Sequence, residues 1–307
     1  MNKKTPLYLQ TDIGGDIDDF WALAMLLKQP WLDLRMVLTD TGHTVYRAAI
    51  VAKLLELAGR DDIVVGAGLV AWPDGHNKTQ GEWVKDYDVR KYRGYTDDGI
   101  GRFIEMVKAE PGPVTLVAIG PATSLAEALR RAPEIAGKIN FVGMFGSVYK
   151  GYNGKATPDA EYNVYIDVAA AKTVFSANWL SAAITPLDTC GLVRLEGDLY
   201  KRIEDSADPI VKAVAEAYHG WLAFQQGGTL KAPPAASSVL FDTVAMHMAS
   251  SYEFLKMEEI KLVVDDKGFT RPDPAGKPFN VAVDWTDLKA YCNFLVDTLL
   301  SAKQPTM

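Results

Sequence analysis

The sequence predicts a doubly wound α/β protein, in which a mostly parallel sheet is covered by helices on both faces and the C-terminal third is more helical. Two observations predict this fold. Apolar runs of strand length alternate with helical patterns through the first two thirds of the 307-residue chain. These runs are continuously apolar, which is typical of strands that are buried on both faces of a parallel sheet.

The first two thirds of the chain supply most of the predicted sheet. The predicted strands are Pro6–Ile13, Leu32–Leu38, Ile63–Ala67, Val114–Ile119, Ile139–Phe145 and Leu180–Pro186. The predicted helices lie near Asp18–Lys28, His43–Ala58, Gly99–Ala109, Ala122–Ala132 and Val168–Ala177. Ligands of open parallel sheets bind outside the carboxyl ends of the strands. We therefore expect four turns to face one crevice, namely the turn that contains Asp12–Asp19 and the turns after Ile119, Phe145 and Leu187.

The last third of the chain is more helical. The predicted helices there are Leu195–Ser206, Ile210–Gln226, Ser238–Ser250 and Asp287–Ser301, and the strand-like runs are Ile260–Val264 and Val281–Val283. The clearest loop, Gly227–Pro234, is short enough to be a connection and not a domain boundary. With no internal repeat and no low-complexity tract, the sequence predicts one catalytic domain over residues 1–307.

Composition and charge exclude several classes of partner. The net charge is −7 and the pI is about 5.2, and the Lys and Arg residues are scattered, so we expect no nucleic-acid partner. No window reaches about 18 apolar residues, and the amino terminus runs directly into strand-like Leu7–Leu9, so we expect no membrane association and a soluble cytoplasmic protein. Cys190 and Cys292 fit no zinc spacing, and we interpret them as small buried apolar residues.

The end of the first strand carries the most informative feature of the chain. Asp12, Asp16, Asp18 and Asp19 lie within eight residues. Carboxylates this close raise one another's pKa unless a cation, a helix N-terminus or a set of N–H donors compensates their charge. A bound divalent metal is the simplest compensation, and carboxylates with backbone carbonyls nearby favour Ca²⁺. The alternative is that some of these aspartates, Asp16 above all, only cap the helix that follows.

Other enzyme classes with an aspartate-rich or glycine-rich turn do not fit the residues. A haloacid-dehalogenase-like phosphatase needs a nucleophilic aspartate two positions before Asp12, where this chain has Gln10. The turn also lacks the GxGxxG pattern of dinucleotide-binding proteins and the GxxxxGK[ST] pattern of P-loop proteins. The sequence therefore gives no support for bound NAD or ATP.

Four short segments carry a family resemblance. They are Thr11–Asp19 (TDIGGDIDD), Val117–Ala126 (VAIGPATSLA), Thr157–Asp167 (TPDAEYNVYID) and Phe241–Ala245 (FDTVA). In this order they resemble the motifs DxDPGxDD, TGPLTNLA, TPxAEFNIxxDPEAA and HDPxA of the inosine–uridine-preferring nucleoside hydrolases. Four motifs in the family's order are much more specific than any single one. The resemblance implies the α/β fold of that family and hydrolysis of the N-glycosidic bond between a base and ribose.

Carried over by position, the resemblance also implies the site residues. The implied ligands of a calcium ion are Asp12, Asp19, Asp242 and the backbone carbonyl of Ile119. Asp18, Glu161 and Asn163 would contact the ribose hydroxyls. A water bound to the calcium would be deprotonated by Asp12 and would attack C1′ of the ribose, while the surrounding carboxylates stabilise a cationic sugar.

The chain also departs from the family pattern. Its amino-terminal motif carries two more residues between Asp12 and Asp18, so the loop must bulge, and Asp16 is a candidate third acidic contact. Phe241 stands where many purine-cleaving members have a histidine that protonates the leaving base. Lys155 stands at a position usually occupied by a sugar-binding asparagine.

Several further side chains are candidates for contact with the substrate. His43 follows Gly42 where the family commonly has a GN pair, and it is a candidate substrate contact at a strand-to-helix turn. A flat leaving group could stack on Trp83, Trp221 or Phe224, although each can equally well be a packing residue.

We therefore predict a calcium-dependent hydrolase of a ribonucleoside, with a small-molecule nucleoside or riboside as its partner. Two alternatives stay open at this point. One is a catalytically silent protein that binds ribose or a nucleoside, and the other is a hydrolase of another riboside whose leaving group needs no proton. The family resemblance also implies a homo-oligomer, either a dimer or a tetramer.

Overall fold

The chain folds around one ten-stranded sheet in the computed structural model, which describes residues 5–72 and 77–301. The strands are β1 (Pro6–Thr11), β2 (Asp33–Thr39), β3 (Val64–Ala67), β4 (Tyr95–Thr96), β5 (Val114–Ala118), β6 (Ile139–Gly143), β7 (Ser181–Ile184), β8 (Leu255–Val264), β9 (Thr270–Pro272) and β10 (Lys277–Trp285). Their order across the sheet is β4-β3-β2-β1-β5-β6-β7-β10-β8-β9. Every pairing from β4 to β10 is parallel, and β8 runs antiparallel to β10 and β9.

Helices cover both faces of this sheet. They are α1 (Asp18–Leu27), α2 (Thr44–Leu57), α3 (Gly81–Val84), α4 (Gly99–Ala109), α5 (Thr123–Arg131), α6 (Tyr162–Tyr165), α7 (Val168–Ser176), α8 (Gly197–Glu204), α9 (Pro209–Gln225), α10 (Thr243–Met248) and α11 (Leu288–Leu300). Short 3-10 turns lie at Val89–Lys91, Pro133–Lys138, Tyr152–Gly154 and Cys190–Leu192. One core cluster contains α1, α2 and the helices after β7, and the other contains α4, α5 and α7. The predicted single α/β domain with a mostly parallel sheet is confirmed.

The central strand β1 positions the site. All six of its residues are buried, because β2 and β5 flank it and helices cover both of its faces. The chain moves outward from β1 through β2 and β3 to β4 and then returns to the opposite side of β1 with β5. This reversal leaves a crevice at the carboxyl ends of β1 and β5, which is where such sheets bind ligands. Helix α1 begins directly above it, and nine of its ten residues are buried.

The differences from the predicted elements lie mostly at the edge of the sheet. The two strands predicted at Ile260–Val264 and Val281–Val283 are the longer β8 and β10, and β9 was missed. In β8 buried and exposed residues alternate, so the strand shows no continuous apolar run. The helix predicted from Ser238 begins only at Thr243, with Asp242 at its N-cap position.

Two predictions from the sequence concern membrane-spanning segments and the amino terminus. Across residues 5–72 and 77–301, no helix combines the length and the apolar character needed to cross a bilayer. The prediction that the amino terminus runs directly into the first strand falls partly on residues 1–4, which lie outside the described residues. Localisation in the cytoplasm therefore stays a prediction.

Candidate functional site

The turn from Asp12 to Ile17 brings the acidic residues to the crevice. Gly14 has a φ of 101°, and a Cβ there would lie 2.7 Å from two neighbouring side chains, so the turn requires glycine at this position. The hydroxyl of Thr79 lies 3.0 Å from the carbonyl oxygen of Gly14 and 2.7 Å from that of Gly15, and it donates to them. The longer turn is thus a bulge held by a neighbouring segment, and it leaves Asp16 exposed.

Three carboxyl groups converge where α1 begins. One oxygen each of Asp18, Asp19 and Asp242 lies within 4.8 Å of the other two, and all three residues are buried. Burial first, and then the charges of neighbouring aspartates, raise the pKa of each carboxyl well above its usual range. Asp19 also accepts a hydrogen bond from the hydroxyl of Thr11. This set of buried oxygens fits a hard divalent cation, which would remove the repulsion among the three charges.

Asp12 lies beside this group and against a buried arginine. Nη2 of Arg47 is 3.7 Å from Oδ2 of Asp12, while Nε donates to the carbonyl of Thr41 at 2.7 Å and Nη1 to that of Ile13 at 2.9 Å. Burial raises the pKa of Asp12, and the guanidinium of Arg47 opposes that rise. On the other side a Cβ at Gly120 would lie 2.9 Å from Oδ1 of Asp12. Both neighbours fix the orientation of this carboxyl group.

The segment after β6 supplies the next polar groups. The side chain of Glu161 accepts from the backbone N–H groups of Gly146 at 2.9 Å, Asn163 at 2.7 Å and Val164 at 3.3 Å, and so it caps α6. Burial raises the pKa of Glu161 to about 7. Nδ2 of Asn163 donates to the carbonyl oxygen of Ile119 at 3.2 Å. The family resemblance implies that the Ile119 carbonyl is a metal ligand and that Asn163 is a ribose contact, and this hydrogen bond joins the two groups.

These groups line one cavity of about 410 Å³. Its described lining residues are Asp12, Gly15, Asp16, Asp18, Asp19, Asn77, Thr79, Ile119, Met144, Tyr152, Glu161, Tyr162, Asn163, Trp221, Gln225, Phe241 and Asp242. This volume lies in the range of small-molecule sites. The cavity brings together nine predicted site residues from four segments of the chain, and none of the described lining residues is a lysine, arginine or histidine.

Aromatic side chains form one part of the cavity wall. The rings of Tyr152 and Phe241 meet edge to face with centroids 6.2 Å apart. Trp221 of α9 stacks on Tyr218 at 5.9 Å with an angle of 19° between the rings. Tyr162 is 41% exposed. The wall therefore offers flat surfaces to a planar ligand.

Two predicted contacts lie away from this cavity. His43 stands at the N-cap position of α2 and lines a second cavity with Tyr46 and Arg90, so the structure does not bring it to the ribose site. The side chain that α2 directs to the acidic cavity is Arg47, one turn further along the helix. Lys155 is not among the lining residues either, because its ammonium group pairs with Asp159 on the half-exposed loop.

Of the other residues and turns that were predicted to face the crevice, only some line the cavity. Trp221 lines the cavity, whereas Trp83 packs against Phe20 and under the ammonium group of Lys53. The turn after β7 does not contribute to the described lining. There the carboxylate of Asp188 instead accepts from the backbone N–H groups of residues 148, 149 and 150 at 2.7–3.1 Å, which fixes the preceding loop.

Sequence reasoning missed a buried polar network behind the cavity. Nε2 of Gln10 donates to Asp40 at 3.0 Å and to the carbonyl of Pro121 at 2.8 Å, and its Oε1 accepts from the N–H of Gly120 at 3.3 Å. Asp40 also accepts from the backbone N–H of Ser124 at 2.8 Å. Gln10 thereby ties β1 to the loop that follows β5. The signal that could have revealed it is an amide in the middle of an otherwise apolar buried strand.

The fold and the site together define an α/β enzyme with an acidic, oxygen-rich cavity at the carboxyl edge of its sheet. The family model of the inosine-uridine preferring nucleoside hydrolases matches residues 7–298. The chain belongs to this family and is a nucleoside hydrolase. The resemblance seen in the four sequence motifs is confirmed.

Two relatives of known sequence are named for pyrimidine nucleosides or uridine. The pyrimidine-specific ribonucleoside hydrolase RihA of Citrobacter koseri is 26% identical over 230 residues, which is 72% of each chain. The probable uridine nucleosidase 2 of Arabidopsis thaliana is 29% identical over 181 residues, or 55% of each chain.

Solved structures share the fold over nearly the whole chain. The plant nucleoside hydrolase PpNRh1 has a TM-score of 0.78 at 24% identity and covers 98% of this chain and all of its own. A purine-preferring ribonucleoside hydrolase from Gardnerella vaginalis has a TM-score of 0.73 at 23% identity, with 96% of this chain and 98% of that chain covered.

Proposed function

We propose that this nucleoside hydrolase is calcium-dependent and cleaves the bond between C1′ of ribose and a base nitrogen. The observation that carries the proposal is the group of three buried carboxyls beside Asp12, in a cavity large enough for a small molecule. Membership of the family supports the same reaction class. One relative is pyrimidine-specific and another is purine-preferring, so the relatives supply no single base for this chain.

The proposed ligands of Ca²⁺ are Asp12, Asp19, Asp242 and the carbonyl oxygen of Ile119. These are hard oxygen donors, as Ca²⁺ prefers, and they come from the ends of two strands and the starts of two helices. When bound, the ion would orient the attacking water and lower its pKa. Asp18 lies in the same tight carboxyl group, so it is placed to contact the ribose hydroxyls next to the ion.

The protein's own groups have separate tasks in this proposal. The carboxylate of Asp12 accepts the proton of the attacking water, and Arg47 keeps that carboxylate oriented. Glu161 and Asn163 hold the ribose hydroxyls, because backbone groups fix both side chains: the N–H of Asn163 donates to Glu161, and the carbonyl of Ile119 accepts from Asn163. The remaining negative charge stabilises the positive charge that develops on the sugar.

The experiment that tests this function measures release of reducing sugar from purine and pyrimidine nucleosides and from p-nitrophenyl riboside. We expect release that a calcium chelator abolishes, and a loss of at least about 100-fold in kcat for Asp12→Asn. Asp198→Asn, an exposed carboxyl at the start of α8, is the matched control and should behave as wild type.

Two outcomes would contradict the proposal. Full activity in Asp12→Asn would remove Asp12 from the mechanism. Stoichiometric binding of nucleoside and calcium without release of ribose would favour the silent binding protein, an alternative motivated by Phe241 in the cavity wall. Light scattering of the same sample tests the dimer or tetramer that the family resemblance implies.

A further inference from the structure

The first observation concerns the charge of the cavity. Its described lining contains six carboxyl groups, namely Asp12, Asp16, Asp18, Asp19, Glu161 and Asp242, and no lysine, arginine or histidine. When the carboxyl groups are ionised around a bound divalent ion, that ion and the guanidinium of Arg47, which lies behind Asp12, balance three of the six negative charges. The cavity therefore attracts a positively charged ligand and repels an anionic one.

The second observation concerns Asp16, which the longer turn places apart from the tight carboxyl group. The backbone carbonyl of Asp16 accepts from Nε2 of Gln80 at 3.0 Å, and this hydrogen bond holds the turn. Asp16 is exposed and lines the cavity. Oδ1 of Asp16 accepts from the N–H of Ile17 at 2.7 Å. A carboxylate here is not needed to complete the group formed by Asp18, Asp19 and Asp242.

The third observation concerns the aromatic wall. Phe241, Tyr152, Tyr162 and Trp221 line the same cavity as these carboxylates. An aromatic face attracts a cation through its quadrupole, and the attraction is strongest for tryptophan. A flat cationic ring can thus stack on the wall of a cavity that Asp16 also lines.

The fourth observation concerns the leaving group. Phe241 cannot donate a proton, and burial raises the pKa of Tyr152 above its ordinary value, which weakens that hydroxyl as an acid. A neutral purine or pyrimidine leaves as an anion unless it is protonated, whereas a base that carries a positive charge on its ribosylated nitrogen leaves as a neutral molecule.

We propose that the preferred substrates of this site are ribosides of a cationic, pyridinium-type base; this rests on the proposed hydrolase function and names its substrate class. The C1′–N bond breaks and both electrons go to the ring nitrogen, which becomes neutral. Water forms the new C1′–O bond, and its released proton goes to the carboxylate of Asp12 and then to solvent. No proton donor to the base is required, which agrees with a wall of Phe241 and Trp221.

The experiment compares kcat/KM for nicotinamide riboside, which is cationic, with kcat/KM for uridine and inosine, all with calcium present. Nicotinic acid riboside, whose pyridinium charge is offset by a carboxylate, tests the role of net charge with the same leaving nitrogen. We expect nicotinamide riboside to exceed uridine and inosine by at least about tenfold in kcat/KM. Nicotinic acid riboside should show a higher KM than nicotinamide riboside, because the acidic cavity repels its carboxylate.

Two variants separate binding of the charge from departure of the base. Asp16→Asn should raise the ratio of KM for nicotinamide riboside to KM for uridine by about fivefold, as expected for one partly exposed charge pair. Phe241→His should raise kcat for uridine by about tenfold or more and so lower the ratio of kcat for nicotinamide riboside to kcat for uridine, because only the neutral base gains from a proton donor. Asp198→Asn is again the control.

The outcomes distinguish this inference from the function on which it rests. Hydrolysis of uridine or inosine with kcat/KM equal to or above that of nicotinamide riboside overturns the inference and leaves the hydrolase in place. No ribose from any riboside overturns both, and an unchanged KM ratio in Asp16→Asn removes that residue from charge recognition.

Discussion

At the scale of single residues, the pair of Gln10 and Asp40 explains how an altered strand end still supports the site. Three donors, from Gln10, Thr41 and the backbone of Ser124, meet the fully buried carboxyl of Asp40. Burial nevertheless raises its pKa to about 7. Because Gln10 also contacts Gly120, this network positions the loop whose Ile119 carbonyl faces the acidic group.

The ionisation of Asp40 makes the stability of the protein depend on pH. The folded-state pKa of about 7 exceeds the ordinary value of 3.8, so protonated Asp40 favours the folded chain. This contribution, ~4 kcal/mol at most, is fully present below pH 3.8 and is lost as the pH rises to 7. Asp40→Asn should remove this dependence on pH. The variant should therefore become more stable relative to wild type as the pH rises from 3.8 to about 7.

Urea unfolding at a series of pH values measures this difference. Asparagine can keep the three contacts of Asp40, because its oxygen accepts from Gln10 and Ser124 while its amide donates to the hydroxyl of Thr41. Asp198→Asn should follow the wild-type curve throughout. Parallel curves for Asp40→Asn and wild type would show that the Asp40 carboxyl is ionised in the folded protein over the whole range.

At the scale of elements, the long helix α9 carries Trp221 and Gln225 to the cavity, and a single residue fixes its start. Oδ1 of Asp208 accepts from the N–H groups of Ile210 at 2.9 Å and Val211 at 3.3 Å. Its other oxygen lies 2.6 Å from Nζ of Lys28, whose side chain is only 1% exposed. One carboxylate therefore caps α9 and neutralises a buried ammonium at the end of α1.

Two substitutions at this cap should have different costs. Asp208→Ala removes the cap and leaves the buried ammonium of Lys28 without its carboxylate, and we expect a loss of ~3 kcal/mol in the free energy of unfolding. Asp208→Asn keeps the accepting oxygen at the cap and removes only the charge, so it should lose ~1 kcal/mol less than the alanine variant. Urea unfolding monitored by circular dichroism measures both, and equal losses would show that the cap contributes nothing measurable.

The elements also show what the sequence can and cannot predict. Continuously apolar strands such as β1 and β5 were predictable because burial on both faces leaves a direct signal in the sequence. The two-residue strand β4 and the short helix α6 left none, because sheet pairing and the cap by Glu161 determine them. The aspartates of the first turn were predictable from their density, whereas Arg47 and Gln10 meet the site only through tertiary packing.

At the scale of the whole molecule, the acidic group is a local cost that a bound cation should offset. Asp18, Asp19 and Asp242 join α1 to α10, and both helices are largely buried in one core. When no cation is bound, repulsion among these carboxylates opposes the packing of the two helices. A ligand that binds only the folded protein stabilises it in proportion to the logarithm of its concentration.

Thermal unfolding should therefore respond to calcium. At a calcium concentration of about 100 times Kd, we expect Tm to rise by roughly 5 °C relative to protein in chelator. Asp242→Asn should have a higher Tm than wild type in chelator, because it removes one of three converging charges, and it should lose the response to calcium. Differential scanning calorimetry measures both, with magnesium as the control ion, and a wild-type Tm indifferent to calcium would contradict the metal site.

The two buried cysteines can report how often parts of this fold open. Cys190 and Cys292 are unpaired and buried, and burial raises the pKa of both thiols, so neither is reactive in the closed protein. A thiol reagent can therefore modify them only when the surrounding structure opens. Cys190 lies on the 3-10 turn after β7 and Cys292 on α11. A comparison of their labelling rates would show whether these two regions open together or separately.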